Sequence, residues 1–278
     1  MNDGVLEWHT RVSPEQIAAV DALLDRVSDA DGVSALSEHS YLHLRGGGGG
    51  GAVHGLVVHG GDVVGYAFLS EEDEPLAEFL VDPAARREGL GGRMLAEILA
   101  TGGSGVRIWA HGLLPGASAL AASAGMVAVR RVCRYTRALE DLPDLPLPDG
   151  VVVRAFAPAD SAAWLELNAA AFVDLPDQGS WTAEDLADRL AQPWFDAAGF
   201  LLAFDEQGLV GCHWTKVHGG GAHEHERTGE VYVLAVAPRA HGRGLGPALT
   251  VLGLRHLQGQ GLDSVLLYVD AENTAAVR

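Results

Sequence analysis

The feature that most constrains the fold of this chain is an internal repeat. The segment VDPAARREGLG at 81–91 returns as VAPRAHGRGLG at 236–246. In each copy a Val closes an apolar stretch, a Pro stands two positions on, and a basic stretch leads into Gly-Leu-Gly. The flanks recur in the same order. Upstream, apolar strands are expected over 62–69 and 208–216, each after a short turn. Downstream, apolar-periodic helices over 90–100 and 245–257 lead to strands over 106–110 and 264–269. Chance periodicity does not preserve such an order, so the 278 residues read as two copies of one α/β fold, each a mixed sheet with helices.

The copies join at EDLPDLPLPDG, 140–150. Pro143, Pro146 and Pro148 fix φ and remove backbone donors, which predicts an extended linker. The division expected is therefore 1–140, a linker over 141–150, and 151–278. Ser13, Pro14, Glu15 and Gln16 form a capping box that starts a helix reaching about Val27. In the second copy a strand is expected over 151–156, Asp160 caps a helix to about Ala171, and Thr182 with Asp185 starts another. The six glycines at 46–51 predict a flexible connection. In the first copy a helix around Ala117, a glycine turn at Gly125 and a strand over 127–137 follow the strand at 106–110. The second copy reaches the equivalent point at Asn273 and stops at Arg278, so by this comparison it lacks most of one helix and a final strand.

Composition narrows the function. Lys and Arg number 19 against 37 Asp and Glu, a formal net charge of −18. That balance disfavours nucleic acid and anionic membranes as partners. Cys133 and Cys212 have no CxxC spacing, so no disulfide framework or cysteine zinc site is expected. The His-bearing loop at 218–226, with His213 nearby, lacks the rigid spacing of a metal site, and no metal is expected there. With no signal-peptide layout and no apolar run near the ~20 residues of a membrane span, a cytoplasmic, monomeric protein is expected.

The chemistry lies in the repeated motif. A strand running into R-x-x-G-x-G and then a helix delivers several unpaired backbone N–H groups to one point. The glycines allow close approach, and the helix N-terminus adds its positive dipole end. Such a cradle suits a pyrophosphate. The spacing is neither that of a Walker loop nor that of a dinucleotide fingerprint. Arg86, Arg87 and Arg93 supply local cations in the first copy, and His241 and Arg243 in the second.

These motifs resemble the GNAT N-acetyltransferases, whose signature is Q/R-x-x-G-x-G/A. RREGLG at 86–91 fits it fully; HGRGLG at 241–246 departs at its first position. The resemblance implies two tandem GNAT domains and acetyl-CoA as co-substrate. It places the cofactor on Phe79, Leu80 and Val81 with Arg86, Arg87, Glu88, Gly89, Leu90 and Gly91. In the second copy it uses Leu234, Ala235 and Val236 with His241, Gly242, Arg243, Gly244, Leu245, Gly246 and Pro247, then Asn273, Thr274, Ala275, Ala276, Val277 and Arg278. Longer strings resemble one branch, the tandem mycothiol synthase family: WAHG (109–112), PDGVV (148–152), NAAAF (168–172), QGSWT (178–182), WFD (194–196), HWTKVH (213–218), GEVYVL (229–234) and LLYV (266–269). That family acetylates the cysteine amine of a cysteinyl-glucosaminyl-inositol. The resemblance implies that Glu38, Asp177, Lys216, Glu230 and Tyr268 contact this acceptor.

In the acyl transfer so implied, an amine attacks a thioester and a thiolate leaves. A free α-amino group has a pKa of about 7.7–8, so a base removes a proton from a partly charged nucleophile. Glu230 is the candidate base, directly or through water, and the Leu234 backbone N–H the candidate oxyanion donor. The family's usual acid, a tyrosine just past 273–278, falls beyond residue 278. Transfer to another small amine and non-catalytic acyl-CoA binding are the alternative readings.

Overall fold

The chain folds as two compact units, residues 1–127 and 128–278. They are described from a computed structural model over residues 4–46, 51–71, 74–103, 105–219 and 227–273. The glycines 47–50, the loop 220–226 and the segment 274–278 lie outside the described residues.

The first unit holds β1 (Glu7–His9), α1 (Pro14–Asp31), α2 (Glu38–Leu44), β2 (Ala52–His59), β3 (Asp62–Ser70), β4 (Leu76–Val81), α3 (Leu90–Gly102), β5 (Arg107–Ile108) and α4 (Pro115–Ser123). The sheet runs β1-β2-β3-β4-β5, antiparallel except for the parallel pair β4–β5. Period-two alternation divides its residues between two helical layers. Tyr66, Phe68 and Leu80 pack on Val20, Leu23 and Val27 of α1. Ala67, Leu69 and Ala77 pack on Leu90, Met94 and Ile98 of α3. Helix α1 begins at the capping box the sequence marks: Ser13 Oγ accepts from the Gln16 N–H while the Gln16 side chain accepts from the Ser13 N–H.

The second unit holds β6 (Val132–Ala138), β7 (Val152–Ala155), α5 (Ser161–Ala171), α6 (Pro176–Gly179), α7 (Ala183–Leu190), β8 (Phe200–Asp205), β9 (Gly208–His218), β10 (Thr228–Val236), α8 (Leu245–Gly259) and β11 (Ser264–Asp270). Its sheet runs β6-β11-β10-β9-β8-β7. On one face Trp164 and Leu167 of α5 and Leu186 of α7 cover Phe200, Trp214 and Val233. On the other, Leu249, Leu254 and Leu257 of α8 cover Val210, Val231 and Val265. Large aromatics make the first face dense: Phe200 stacks on Trp214 at 4.2 Å between ring centroids, and Trp164 meets both edge-on.

Two expectations differ from the structure. The strand read as closing the first copy is β6, which pairs antiparallel with β11 from Val132–Asp270 to Ala138–Ser264. It lies in the second sheet, so the units divide before the proline-rich segment. The cause is geometric: β11 has an edge free of β10, and an unpaired strand edge takes up whichever strand the fold brings to it. Asp160 does not cap α5 with its side chain. Its carboxylate accepts from the Ala157 N–H at 2.8 Å and is gripped by Arg154, closing the short 3-10 turn that precedes the helix. Thr182 and Asp185 do form the expected capping box at α7.

Candidate active site

Strand β10 pairs in register with β9 from Thr228 to Val231, and the register then shifts between Val231 and Val233. This bulge turns Tyr232 and Val233 to the same face, and bulges sharpen local strand twist. Beyond it β10 leaves β11, because the parallel pairing holds only at Gly229–Val265 and Glu230–Leu266. The two strands part like the arms of a V. Which amides line the opening follows from alternation. The Ala237 N–H donates to the Val210 carbonyl on β9 at 2.8 Å, so the amides of Leu234 and Val236 point the other way, into the opening.

The first unit repeats the geometry. Strands β4 and β5 pair only at Leu76–Arg107 and Ala77–Ile108. The Asp82 N–H donates to Val64 O at 2.9 Å, which turns the amides of Phe79 and Val81 into that opening.

Each opening ends at a glycine loop. Gly89 and Gly244 are the N-caps of α3 and α8, at φ of 80° and 81°. A side chain in this left-handed region costs roughly 1–2 kcal/mol. Neither cap supplies a side-chain hydrogen bond, so the amides of Leu90 and Gly91, and of Leu245 and Gly246, are unsatisfied donors at the positive end of a helix dipole. An oxyanion of a pyrophosphate fits there. The inner glycines are not demanded by packing. A Cβ at Gly246 would lie 3.7 Å from Val236 Cγ2, and one at Gly91 3.4 Å from Leu120 Cδ2.

The motif's first side chain serves the loop. Arg86 forks onto Asp31 at 2.7 and 2.8 Å, and its Nε donates to Val81 O at 3.1 Å. In the second copy His241 Nε2 meets Val236 O at 3.0 Å. Each side chain reaches the last carbonyl of its strand, and Arg86 adds the fork onto Asp31. Arg239 and Arg243 both bond Asp205, at 2.8 and 3.2 Å. The Arg239 hydrogen bond foremost holds the Asp205 carboxyl down to about 2.

The candidate acceptor residues of the second unit collect on the aromatic face of its sheet. Glu230, 7% exposed, stands opposite Lys216 in the ladder. The Lys216 ammonium lies 4.5 Å from the Trp194 ring centre and 5.1 Å from that of Tyr232. Tyr268, half exposed, follows Leu266, the β11 partner of Glu230, by one alternation and so shares the face. Asp177, in α6, is held by Arg130 at 2.8 Å; the same guanidinium holds Asp270, one alternation past Tyr268, at 2.8 Å. Glu38 begins α2 in the first unit. Asn273 follows β11, its N–H donating to Asp270 O at 3.0 Å, while Thr274–Arg278 lie outside the described residues.

Sequence reasoning missed two partners. His218 Nε2 lies 2.5 Å from Glu230 Oε2, a diagonal pair visible only once the hairpin register is known. Arg130 reaches Asp270 across 140 positions because β6 sits beside β11. The alternation within HWTKVH, which puts Trp214, Lys216 and His218 on one face, is the signal that points to the first. In the first copy the carboxylate on this stretch of strand is Glu78, fully buried one residue past the last β4–β5 pair, its Oε2 accepting from the Ser37 N–H at 2.8 Å. Counting back from Val81 as Glu230 lies from Val236 gives Pro75, or Leu76 once the bulge is allowed for. No group of three or more His, Cys, Asp or Glu able to hold a metal occurs among the described residues, and no described helix is long and apolar enough to cross a membrane.

Residues 162–278 match the family model for the acetyltransferase (GNAT) family. Among solved structures, a tandem GNAT protein from the clavulanic acid biosynthesis pathway superposes with a TM-score of 0.71 at 16% identity, covering 98% of this chain and 92% of that one. A GCN5-related N-acetyltransferase from Sphaerobacter thermophilus gives 0.63 at 23% identity, covering 98% and 88%. Both speak to the fold alone. Curated relatives carry more. The mycothiol acetyltransferase of Thermobispora bispora is 52% identical over 96% of this chain and 92% of its own length. That of Streptomyces coelicolor is 49% identical over 98% and 89%, and that of Rhodococcus jostii 44% identical over 100% and 93%. With two strand openings that each end in a glycine-capped helix, and with identity of this depth along nearly its whole length, the chain is an acyltransferase that belongs to the mycothiol acetyltransferase family.

Proposed function

We propose that the second unit transfers the acetyl group of acetyl-CoA to the cysteine amine of a cysteinyl-glucosaminyl-inositol, giving mycothiol. The observation that carries this reading is the placement of Glu230. It is a buried carboxylate at the point where β10 parts from β11, on the face that also bears Lys216 and Tyr268. In the first unit the carboxylate at the opening, Glu78, is fully buried and tied to the Ser37 N–H at 2.8 Å and to His111 at 3.4 Å, so that unit's role is to hold the cofactor rather than to catalyse.

The residues divide the work by position. Acetyl-CoA supplies the thioester. The orphan amides of Leu245 and Gly246 hold a pyrophosphate oxygen, and the Leu234 and Val236 amides pair with the arm lying in the opening. Glu230 takes the proton from the attacking amine, directly or through water. The Leu234 N–H faces the carbonyl oxygen as negative charge develops on it. On the acceptor side Lys216, kept in place by two aromatic rings, donates to an oxygen of the acceptor. Tyr268 and the Arg130-anchored Asp177 take its hydroxyls.

The test is mass detection of acetylated product from acetyl-CoA and the cysteinyl-glucosaminyl-inositol, with simple amino sugars and free cysteine as competing acceptors. Product from the full acceptor at a kcat/KM at least ~100-fold above the others supports the reading. Equal use of any small amine favours a general amine acetyltransferase. Acetyl-CoA binding without transfer to any acceptor overturns catalysis.

A further inference from the structure

A carboxylate that accepts a proton from an amine must be oriented and must stay ionised, and buried Glu230 has one neighbour that governs both. Its Oε2 meets His218 Nε2 at 2.5 Å. Two lone pairs do not approach that closely, so a proton lies between them. Nε2–H donates to the carboxylate, and Nδ1 keeps the lone pair. In the ladder His218 pairs with Thr228, one alternation beyond the Lys216–Glu230 pair and away from the opening. Its side chain is 41% exposed while that of Glu230 is 9% exposed. Solvent therefore reaches the imidazole, and the imidazole does not face the reacting atoms.

We propose that His218 is a positioning residue for the transfer, acting through Glu230 by holding Oε2 so that Oε1 faces the amine. The inference rests on the reading of Glu230 as the base. While neutral, His218 holds Oε2 with its Nε2 hydrogen and leaves Oε1 to take the amine proton. The amine forms the C–N bond and loses its proton to Oε1, the C–S bond then breaks with its electron pair leaving on the CoA thiolate, and the Nε2 proton stays where it is. Lys216 across the ladder, Tyr232, whose hydroxyl accepts from Arg189 Nε at 3.0 Å, and Tyr268 from β11 share this face.

The experiment compares kcat and kcat/KM at pH 8 for the full chain, His218→Ala, His218→Gln and Glu230→Gln, with circular dichroism and the acetyl-CoA KM as checks on folding. Glutamine keeps a neutral N–H donor and cannot titrate. The expected result is a kcat about 10-fold lower in His218→Ala at pH 8, restored to within about threefold in His218→Gln. A His218→Ala enzyme with the parent's kcat, or a loss in His218→Ala that His218→Gln does not recover, beside an inactive Glu230→Gln, overturns this inference and leaves the base reading intact. An active Glu230→Gln overturns both.

Discussion

Lys216, a candidate acceptor-binding residue, shows how much of a side chain's setting is decided by its neighbours. Its ammonium is fixed over Trp194 and Tyr232, contacts worth about 0.5–1 kcal/mol at partly exposed sites, and it stands across the ladder from Glu230. If it binds the acceptor rather than merely packing, Lys216→Met keeps the stem on the rings and removes only the charge. The expected effect is an acceptor KM raised about 10-fold, or ~1.4 kcal/mol, with kcat within twofold and the acetyl-CoA KM unchanged. Steady-state kinetics with each substrate varied in turn measures this, and an unchanged acceptor KM removes Lys216 from the binding set. At this scale Lys216, Glu230 and Tyr268 were legible because they sit in strings that resemble a family. His218 and Arg130 were not, because their partners lie across a ladder whose register no local pattern states. Gly253 belongs with these. A Cβ there would fall 2.2 Å from the His213 ring, a constraint that exists only because α8 packs on β9.

Among the elements, the glycine loop separates backbone strain from ligand approach. Gly244, at φ 81°, needs the left-handed region, so Gly244→Ala should cost roughly 1–2 kcal/mol of stability as well as raise the acetyl-CoA KM. Gly246 lies inside the first turn of α8, where an added methyl meets only Val236 Cγ2 at 3.7 Å. Gly246→Ala should leave the thermal midpoint unchanged or slightly raised, since alanine is the better helix former, while raising the acetyl-CoA KM about 10-fold or more. Calorimetry and kinetics on the pair decide the matter. A normal KM in Gly246→Ala means the loop does not cradle the cofactor. The strand–loop–helix unit itself was readable from sequence, because Pro, Gly and apolar period mark it twice. The bulge at Tyr232 was not, since an extra residue in a strand is visible only against its partner.

Across the whole molecule, each unit buries a histidine that folding keeps neutral. Burial above all pushes His213 down to about 4, with its Nδ1 bonded to Leu249 O at 2.8 Å. Burial likewise pushes His54 down to about 4, beside the Tyr66 hydroxyl at 2.8 Å. Both folded values lie below the ~6.5 of an unfolded chain, so the unfolded state takes up the protons first. Stability is full above pH 6.5 and falls as the pH drops from about 6.5 to 4, with His213 alone accounting for about 3 kcal/mol of the loss. Urea midpoints at pH 7.5 and 5 should show a clear decrease, smaller in His213→Asn; an equal decrease in that variant places the acid sensitivity elsewhere. The repeat, the α/β class, the capping boxes and the cofactor loops were fixed by local sequence, because turn chemistry, helix caps and hydrophobic period act within a few residues. Tertiary structure alone decided that β6 joins the second sheet, that β10 and β11 part at Glu230, and that His218 and Arg130 reach the site, because strand pairing and register depend on which edges and faces meet after the chain has closed.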